Sequence, residues 1–407
     1  MASAPTRFRS AALGLLIVCA LTTAASAQLT PVRLRLDWVW QAPQSIWTLA
    51  HERGYFKEEG LDVTIDRGYG GPDTTGSVAS GAYDIGFTDI NNMVEFNAKN
   101  PDHRLQCVLV VYDATLAAII TRKGNGINTP KDLEGRVIGA PLTTGGRTLF
   151  PAFARVNGID ESKITWETIS IQLQDQQFAQ GKFDAVASFA TTSLLNLKLL
   201  GVDLNTLTVF RFFKYGLDLY GSSLLVRPQW AEANPQTVRK FIRATLRGMN
   251  AMLADKPAAI ASLQKRDPML DSKIEIDRLD MMIAMALRTA TVEKYGVSHV
   301  DPSRMDRALD IVAKAFNISP VPKKGRCLHR CLLAAAAGAN VEVLSAAEPP
   351  GARTCHAITA GAAPAAASSA RAPPLRPRFR VREAGACVTR RAPLPIWLRR
   401  WWQRRCR

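Results

Sequence analysis

Cysteine is almost missing from most of this 407-residue chain: between Gln28 and Lys323 the sole one is Cys107, so that stretch can form no internal disulfide. Cys107 lies in the apolar run Leu105 to Val111 and reads as a buried, inert thiol. Histidine is scarce too. The five stand at 51, 103, 299, 329 and 356, and none before the tail has a partner at metal-ligand spacing. There is no Walker loop and no G-x-S-x-G nucleophile turn. Beyond the first residues no apolar run is long enough to cross a bilayer as a helix. These absences argue against disulfide-stapled, zinc, P-loop, serine-hydrolase and helical membrane proteins, and they predict no metal and no cofactor.

Acidic residues are lacking in one place only. From Lys324 to Arg407 there are fifteen Arg and one Lys against three Glu and no Asp, a net +13, which leaves +4 of the chain's +17 for everything before it. The basic balance therefore gives no reason to expect a nucleic-acid partner for the folded part. Five of the seven cysteines crowd into the same segment, and its apolar residues keep neither helical nor strand period. Cys327, His329, Cys331, Cys355 and His356 fit no regular zinc spacing. The Arg/Ala/Pro-rich tail 324–407 is expected to be disordered and to arise from a shifted reading frame; Trp401-Trp402 among Arg, suited to an anionic membrane surface, is the alternative. At the other end, Arg7 and Arg9, the apolar run Ala11 to Leu21 and Ala25-Ser26-Ala27 predict a secretory signal over 1–27, cleaved before Gln28. A lipid anchor at Cys19 is the lesser alternative, because Val18 stands where that signal needs a small residue.

What is present begins with Leu34 to Val63. Leu34-Arg35-Leu36 alternates as a strand does, Asp37 to Gln44 holds Pro and two Trp, and Ile46, Leu49 and Ala50 return at helical spacing before Leu61 to Ile65 alternates again. That is a β-α-β unit with an aromatic loop at the carboxyl end of its first strand, where open α/β sheets bind ligands.

The run W-x-x-x-x-P-x-x-x-x-x-L-A-x-x-x-G-Y-F-K-E-E-G-L-D-V resembles the opening of the periplasmic substrate-binding proteins of ABC importers for thiamine-pyrimidine precursors, taurine, alkanesulfonates and nitrate. The likeness continues through Ser80 to Gly86 (S-G-x-x-D-x-G), Asp132 to Gly139 (D-L-x-G-x-x-I-G) and Gly181 to Ala185 (G-x-x-D-A), covering roughly Leu34 to Ile318. It implies an α/β fold of the two-lobe, type II periplasmic-binding kind, each lobe a mainly parallel sheet flanked by helices, with the ligand cleft between lobes. It also implies a monomer in the periplasm that delivers a small molecule to a permease in the inner membrane. The expected lobes are 28–115 with the return 219–323, and 116–218. Val209 to Phe213 and Ser222 to Val226 are both expected to carry the chain back to the first lobe. Asp277 or a neighbour should cap the helix Ile276 to Arg288, and Met281, Met282 and Met285 read as core packing in preference to a soft metal site.

The ligand set expected from the loops and the resemblance together starts with Trp38, Trp40 and Gln44 in the first loop. Trp38 and Trp40 offer flat faces to a pyrimidine or flavin, although burial at the sheet edge explains Trp38 equally well. Thr143, Thr144, Gly145, Gly146 and Arg147 form a hydroxyl- and glycine-rich turn before a helix. Alone it is an ordinary turn; with the resemblance, ligand contact is favoured. Phe189 ends a strand facing cleft or core. Asp89 and Asp218, if in the cleft, would accept ring N–H groups and disfavour a purely anionic ligand, and Asp89 serves equally as a helix N-cap. Thr88, Asn92 and Tyr220 complete the set. The chain also resembles the yeast-type thiamine-pyrimidine synthase, the alternative reading. That enzyme has Lys and His where Thr88 and Asn92 stand here, and a cysteine-rich run where this chain has Gly216 to Tyr220, so its reactive groups are missing.

Overall fold

The computed structural model describes residues 28–322; the signal sequence, the Cys19 alternative and the basic tail lie outside the described residues. Ten strands form two five-stranded sheets. The first has the order β2-β1-β3-β10-β4, from β1 (Thr30–Arg35), β2 (Leu61–Asp66), β3 (Ile85–Asp89), β4 (Gln106–Val110) and β10 (Ser222–Val226). The second has the order β7-β6-β8-β5-β9, from β5 (Ala117–Arg122), β6 (Val137–Ala140), β7 (Thr165–Thr168), β8 (Ala185–Phe189) and β9 (Leu207–Arg211).

In each sheet four strands run one way and one runs against them. The odd strand is β10 in the first sheet and β5 in the second, each antiparallel to both neighbours and each the strand that follows a passage from one sheet to the other. The rest is mainly parallel, and helices cover the sheets on both sides, the type II arrangement. One expectation fails here. Leu207–Arg211 does not return to the first sheet but pairs with β5 as an edge of the second. Leu207 and Phe210 are buried there; only β10 goes back.

The repeated G-x-x-D motif does the same work twice. Gly81 (φ 83°) and Gly181 (φ 77°) stand at left-handed turns that a side chain would strain, each just after a helix. Three residues on, Asp84 accepts the Arg33 N–H at 2.9 Å and Asp184 the Val137 N–H at 2.8 Å. A carboxylate thus pins the central strand of each sheet to its parallel neighbour, and this fixes the register on which the cleft depends.

The principal helices include α1 (Ser45–Glu52), α2 (Gly71–Ala79), α3 (Ile90–Lys99), α4 (Gly145–Thr148), α5 (Phe150–Val156), α6 (Ala190–Leu199), α7 (Pro235–Ala254), α8 (Lys256–Gln264), α9 (Ser272–Met282) and α10 (Pro302–Ala315). α7 buries Val238, Phe241, Ile242, Thr245, Leu246 and Met249 on one face, as their spacing requires. Each such aliphatic or aromatic side chain contributes about 1.5–3 kcal/mol on burial. The cap of α9 is Asp271, which accepts the Ile274 N–H, and not Asp277, which sits mid-helix beside Lys198. Met282 is buried, and Met281 and Met285 pack against the core.

The two passages between the sheets, 111–116 and 212–221, run side by side. Thr115 N–H donates to Leu219 O at 3.1 Å and Gly221 N–H to Tyr112 O at 2.9 Å. A Cβ on Gly221 would come within 2.7 Å of Ala114 O, so glycine permits this approach.

Candidate functional site

The ends of the strands meet in a cleft of about 580 Å³, its open mouth included. One wall comes from the first sheet: Asp37, Trp38, Gln41 and Gln44 after β1, Gly70 and Gly71 after β2, Thr88 from β3, Asn92 from the first turn of α3, and Tyr112 after β4. The other wall comes from the second: Leu116 ahead of β5, Thr143, Thr144 and Gly145 after β6, Ser188 and Phe189 at the end of β8, and Thr191 and Thr192 from α6. Carboxyl ends of parallel strands are where the backbone leaves the sheet, which is why both walls gather there.

Glycines let the walls close. Gly70 N–H donates to Asp37 O at 2.7 Å and Gly68 N–H to Trp38 O at 3.1 Å, laying the loop after β2 onto the loop after β1. A Cβ on Gly71 would fall 2.0 Å from Asn92 Nδ2, and one on Gly145 would fall 2.1 Å from the Phe189 ring. The walls also touch directly. Thr143 Oγ1 donates to Tyr69 O at 2.8 Å, and Thr192 Oγ1 to Gln41 Oε1 at 3.1 Å.

Several polar groups in the cleft are left unpaired. Trp38 Nε1, Gln44 Oε1, Thr88 Oγ1 and Tyr112 Oη are all buried without a hydrogen-bond partner, and all four residues line the cleft. Buried polar groups normally find partners, so their convergence on one cavity points to a ligand that supplies them. Asp37 adds a charge. Burial pushes its carboxyl up to about 7, opposed by its own backbone N–H and reinforced by the neighbouring Asp89. The same burial, with Asp37 nearby, raises the Tyr112 phenol well above its usual range. Trp47, Phe87 and Tyr112 pack in series under this wall, tilted at 4.3 Å and edge-on at 5.5 Å between ring centroids.

Eight residues anticipated from the sequence stand at the cleft: Trp38, Gln44, Thr88, Asn92, Thr143, Thr144, Gly145 and Phe189. Six others do not. Trp40 packs outward on the first core with Arg266 over its ring at 5.9 Å. Asp89 caps α3, accepting from Asn91 N–H, Asn91 Nδ2 and Thr115 Oγ1, and burial raises its carboxyl to about 6 against those bonds. Gly146 lies where a Cβ would be 2.2 Å from Ser188 N, so its task is close packing of α4 on β8. Arg147 is pinned to the second sheet, donating to Ala140 O at 2.8 Å and Thr168 Oγ1 at 3.0 Å with its guanidinium 4.7 Å over Trp166. Asp218 pairs with Arg304 at 2.7 Å, and buried Tyr220 accepts the Asp301 N–H at 2.9 Å beneath the same arginine. These two serve the crossing segments.

Residues missed from the sequence include Asp37, Gln41, Gly70, Gly71, Tyr112, Ser188, Thr191 and Thr192. Asp37 had a signal, since it immediately precedes Trp38 at the end of β1. Tyr112 had a weaker one, following a continuous apolar strand. Among the described residues no group of three His, Cys, Asp or Glu is placed to hold a metal ion, and no Lys lines the cleft.

Riboflavin-binding protein RibY of Chloroflexus aurantiacus is 23% identical over 58% of this chain and 66% of its own length. The formylaminopyrimidine-binding protein of Halalkalibacterium halodurans is 25% identical over 60% of this chain and 72% of its own. The 4-amino-5-hydroxymethyl-2-methylpyrimidine phosphate synthase of Legionella pneumophila also matches, at 24% over 58% of this chain and 72% of its own. Among solved structures, the periplasmic aliphatic sulphonate binding protein SsuA of Escherichia coli superposes with a TM-score of 0.59 at 17% identity, covering 74% of this chain and 99% of that one. That likeness shows the type II fold alone. Residues 45–259 match the family described as NMT1/THI5 like, more than half of the chain, and the protein belongs to that family.

Proposed function

We propose that this protein is the exported solute-binding component of an ABC importer, and that it captures a small ring compound whose edge carries N–H groups, closes on it and presents the closed form to a membrane permease. The observation that carries this is Asp37: a buried carboxylate, unpaired by any cation, among the unpartnered Trp38, Gln44, Thr88 and Tyr112. When ionised, a carboxylate buried at the wall of the cleft accepts N–H donors strongly and repels sulfonate or nitrate. Trp38 and Phe189 supply aromatic faces for a flat ring.

The alternative is synthesis of the thiamine pyrimidine, as the matching synthases are named to do. Schiff-base chemistry needs a lysine amine, and Thr88 and Asn92 stand where that enzyme has Lys and His. A thermal-shift screen tests the proposal with 4-amino-5-hydroxymethyl-2-methylpyrimidine, riboflavin, taurine and nitrate. Stabilisation by the pyrimidine or the flavin is expected. Stabilisation by taurine or nitrate alone removes the N–H ring reading, and consumption of added pyridoxal phosphate with release of a pyrimidine removes the binding-protein reading.

A further inference from the structure

One helix serves both sheets. α9 gives Leu279 and Met282 to the core of the first sheet and Ile274 to the core of the second, so it spans the seam between them. One turn apart on it, Glu275 and Arg278 are both buried, their side chains 3% and 2% exposed. Arg278 Nε donates to the two Glu275 oxygens at 3.0 and 3.1 Å. Its Nη1 donates to the carbonyls of Thr191 at 2.7 Å and Thr192 at 2.9 Å, and its Nη2 to Asn196 Oδ1 at 3.0 Å, all on α6. Glu275 Oε2 accepts the Ala42 N–H at 2.5 Å.

The bonds therefore run without a break from the loop after β1, through a carboxylate and a guanidinium, to the first turn of α6. Both ends are cleft walls: Gln41 and Pro43 flank Ala42, and Thr191 and Thr192 stand opposite. A cation at a helix N-terminus opposes the helix dipole, so Arg278 is not there to stabilise α6. A buried ion pair, moreover, gains little or nothing over apolar residues of like volume, and its best-attested use is to specify one arrangement among several. Moving α6 away from the first sheet would strip Arg278 of its three α6 acceptors at once. The exposed Lys198–Asp277 pair crosses the same seam beside it.

We propose that Glu275 and Arg278 form an interlobe clasp that holds the cleft shut by tying the Gln41–Gln44 wall to the start of α6. Neither residue lines the cleft; both act by positioning those that do. The clasp rests on the closed geometry and needs no assumption about which ligand the cleft takes.

Hydrogen–deuterium exchange on the full chain, free of ligand, tests it. The comparison is wild type against Glu275→Leu/Arg278→Met, which replaces the pair by apolar residues of similar length. Amides in 41–47 and 190–197 are expected to exchange roughly tenfold faster or more in the variant, with β1, β3 and β8 unchanged. Arg278→Lys, a single-point donor that cannot fork to α6, should lie between the two. Equal exchange in wild type and double variant overturns the clasp. So does acceleration spread over both sheets, or a fall in unfolding midpoint matching the local change, since either makes the pair a general stabiliser. Because no ligand is added, these outcomes stand whether or not the ligand reading survives.

Discussion

Asp37 and Asp89 are neighbouring buried carboxylates that the fold treats in opposite ways. Asp89 receives hydrogen bonds from Asn91 N–H, Asn91 Nδ2 and Thr115 Oγ1, whereas Asp37 has only its own backbone N–H. One is a structural cap with its oxygens occupied, and the other faces the cleft with capacity to spare. The difference separates a group that holds the site from one that reads the ligand.

Asp37→Asn should therefore stabilise the free protein while weakening the ligand. The carboxyl is raised from an ordinary value near 4 to about 7 in the fold, so the folded state holds its proton more tightly than the unfolded chain does. Its contribution is fully present below pH 4 and is lost as pH rises toward and through 7. At pH 8 the substitution should raise stability by roughly 2–4 kcal/mol. Titration calorimetry with whichever ring compound binds should show affinity falling in the variant, and in wild type falling as pH drops below 7. Unchanged affinity in the variant would place Asp37 outside recognition.

Trp38→Ala is expected to weaken binding by about 1–3 kcal/mol, the range for rings stacked on aromatic side chains. Trp38→Phe should recover the face but not the indole N–H, which now lacks a partner. The unfolding midpoint should move little, because Trp38 is only partly buried. If instead the midpoint drops and affinity holds, the ring belongs to the core.

Much of the fold was legible because period and punctuation agreed. Alternation marks β1 and β2, Pro235 opens α7, and the two G-x-x-D motifs mark the central strands. The strand after residue 206 was misplaced because a short apolar run marks a strand without saying which sheet pairs with it. In the site, a Gly/Thr-rich turn was readable, but the direction of Arg147 depended on Trp166, nineteen residues away in the chain, lying beneath it. Asp37 escaped, although it stands beside Trp38, because a lone polar residue at a strand end carries no periodic spacing. Its significance comes from what fails to pair with it, and only three-dimensional neighbours reveal that.

Arg147→Ala separates a structural role from ligand contact. Its guanidinium is bound to Ala140 O and Thr168 Oγ1, so removal should cost stability, by roughly 1–2 kcal/mol for the lost bonds and cation–π contact. Ligand affinity should change less than twofold, which is about 0.4 kcal/mol. Loss of binding to a carboxylate- or phosphate-bearing ligand, with stability kept, would return Arg147 to the recognition set.

Closure itself can be weakened at Gly70. This residue holds φ at 119°, and a Cβ there would lie 2.4 Å from Thr143 Cβ and 2.5 Å from Thr143 Oγ1 on the opposite wall. Gly70→Ala therefore combines backbone strain with a clash across the cleft, and the cheapest relief is for the walls to part. Thr143→Val keeps the volume and removes only the bond to Tyr69 O, worth about 0.5–1.5 kcal/mol. The clash and the lost bond both act on the closed form, so ligand dissociation should quicken while association stays near wild type. The alanine variant should show the larger change, tenfold or more, corresponding to about 1.4 kcal/mol. Stopped-flow fluorescence from Trp38 provides the measurement. A slower association with unchanged dissociation would mean that Tyr69 and Thr143 meet before the ligand enters, and that their contact guards the mouth instead of sealing it.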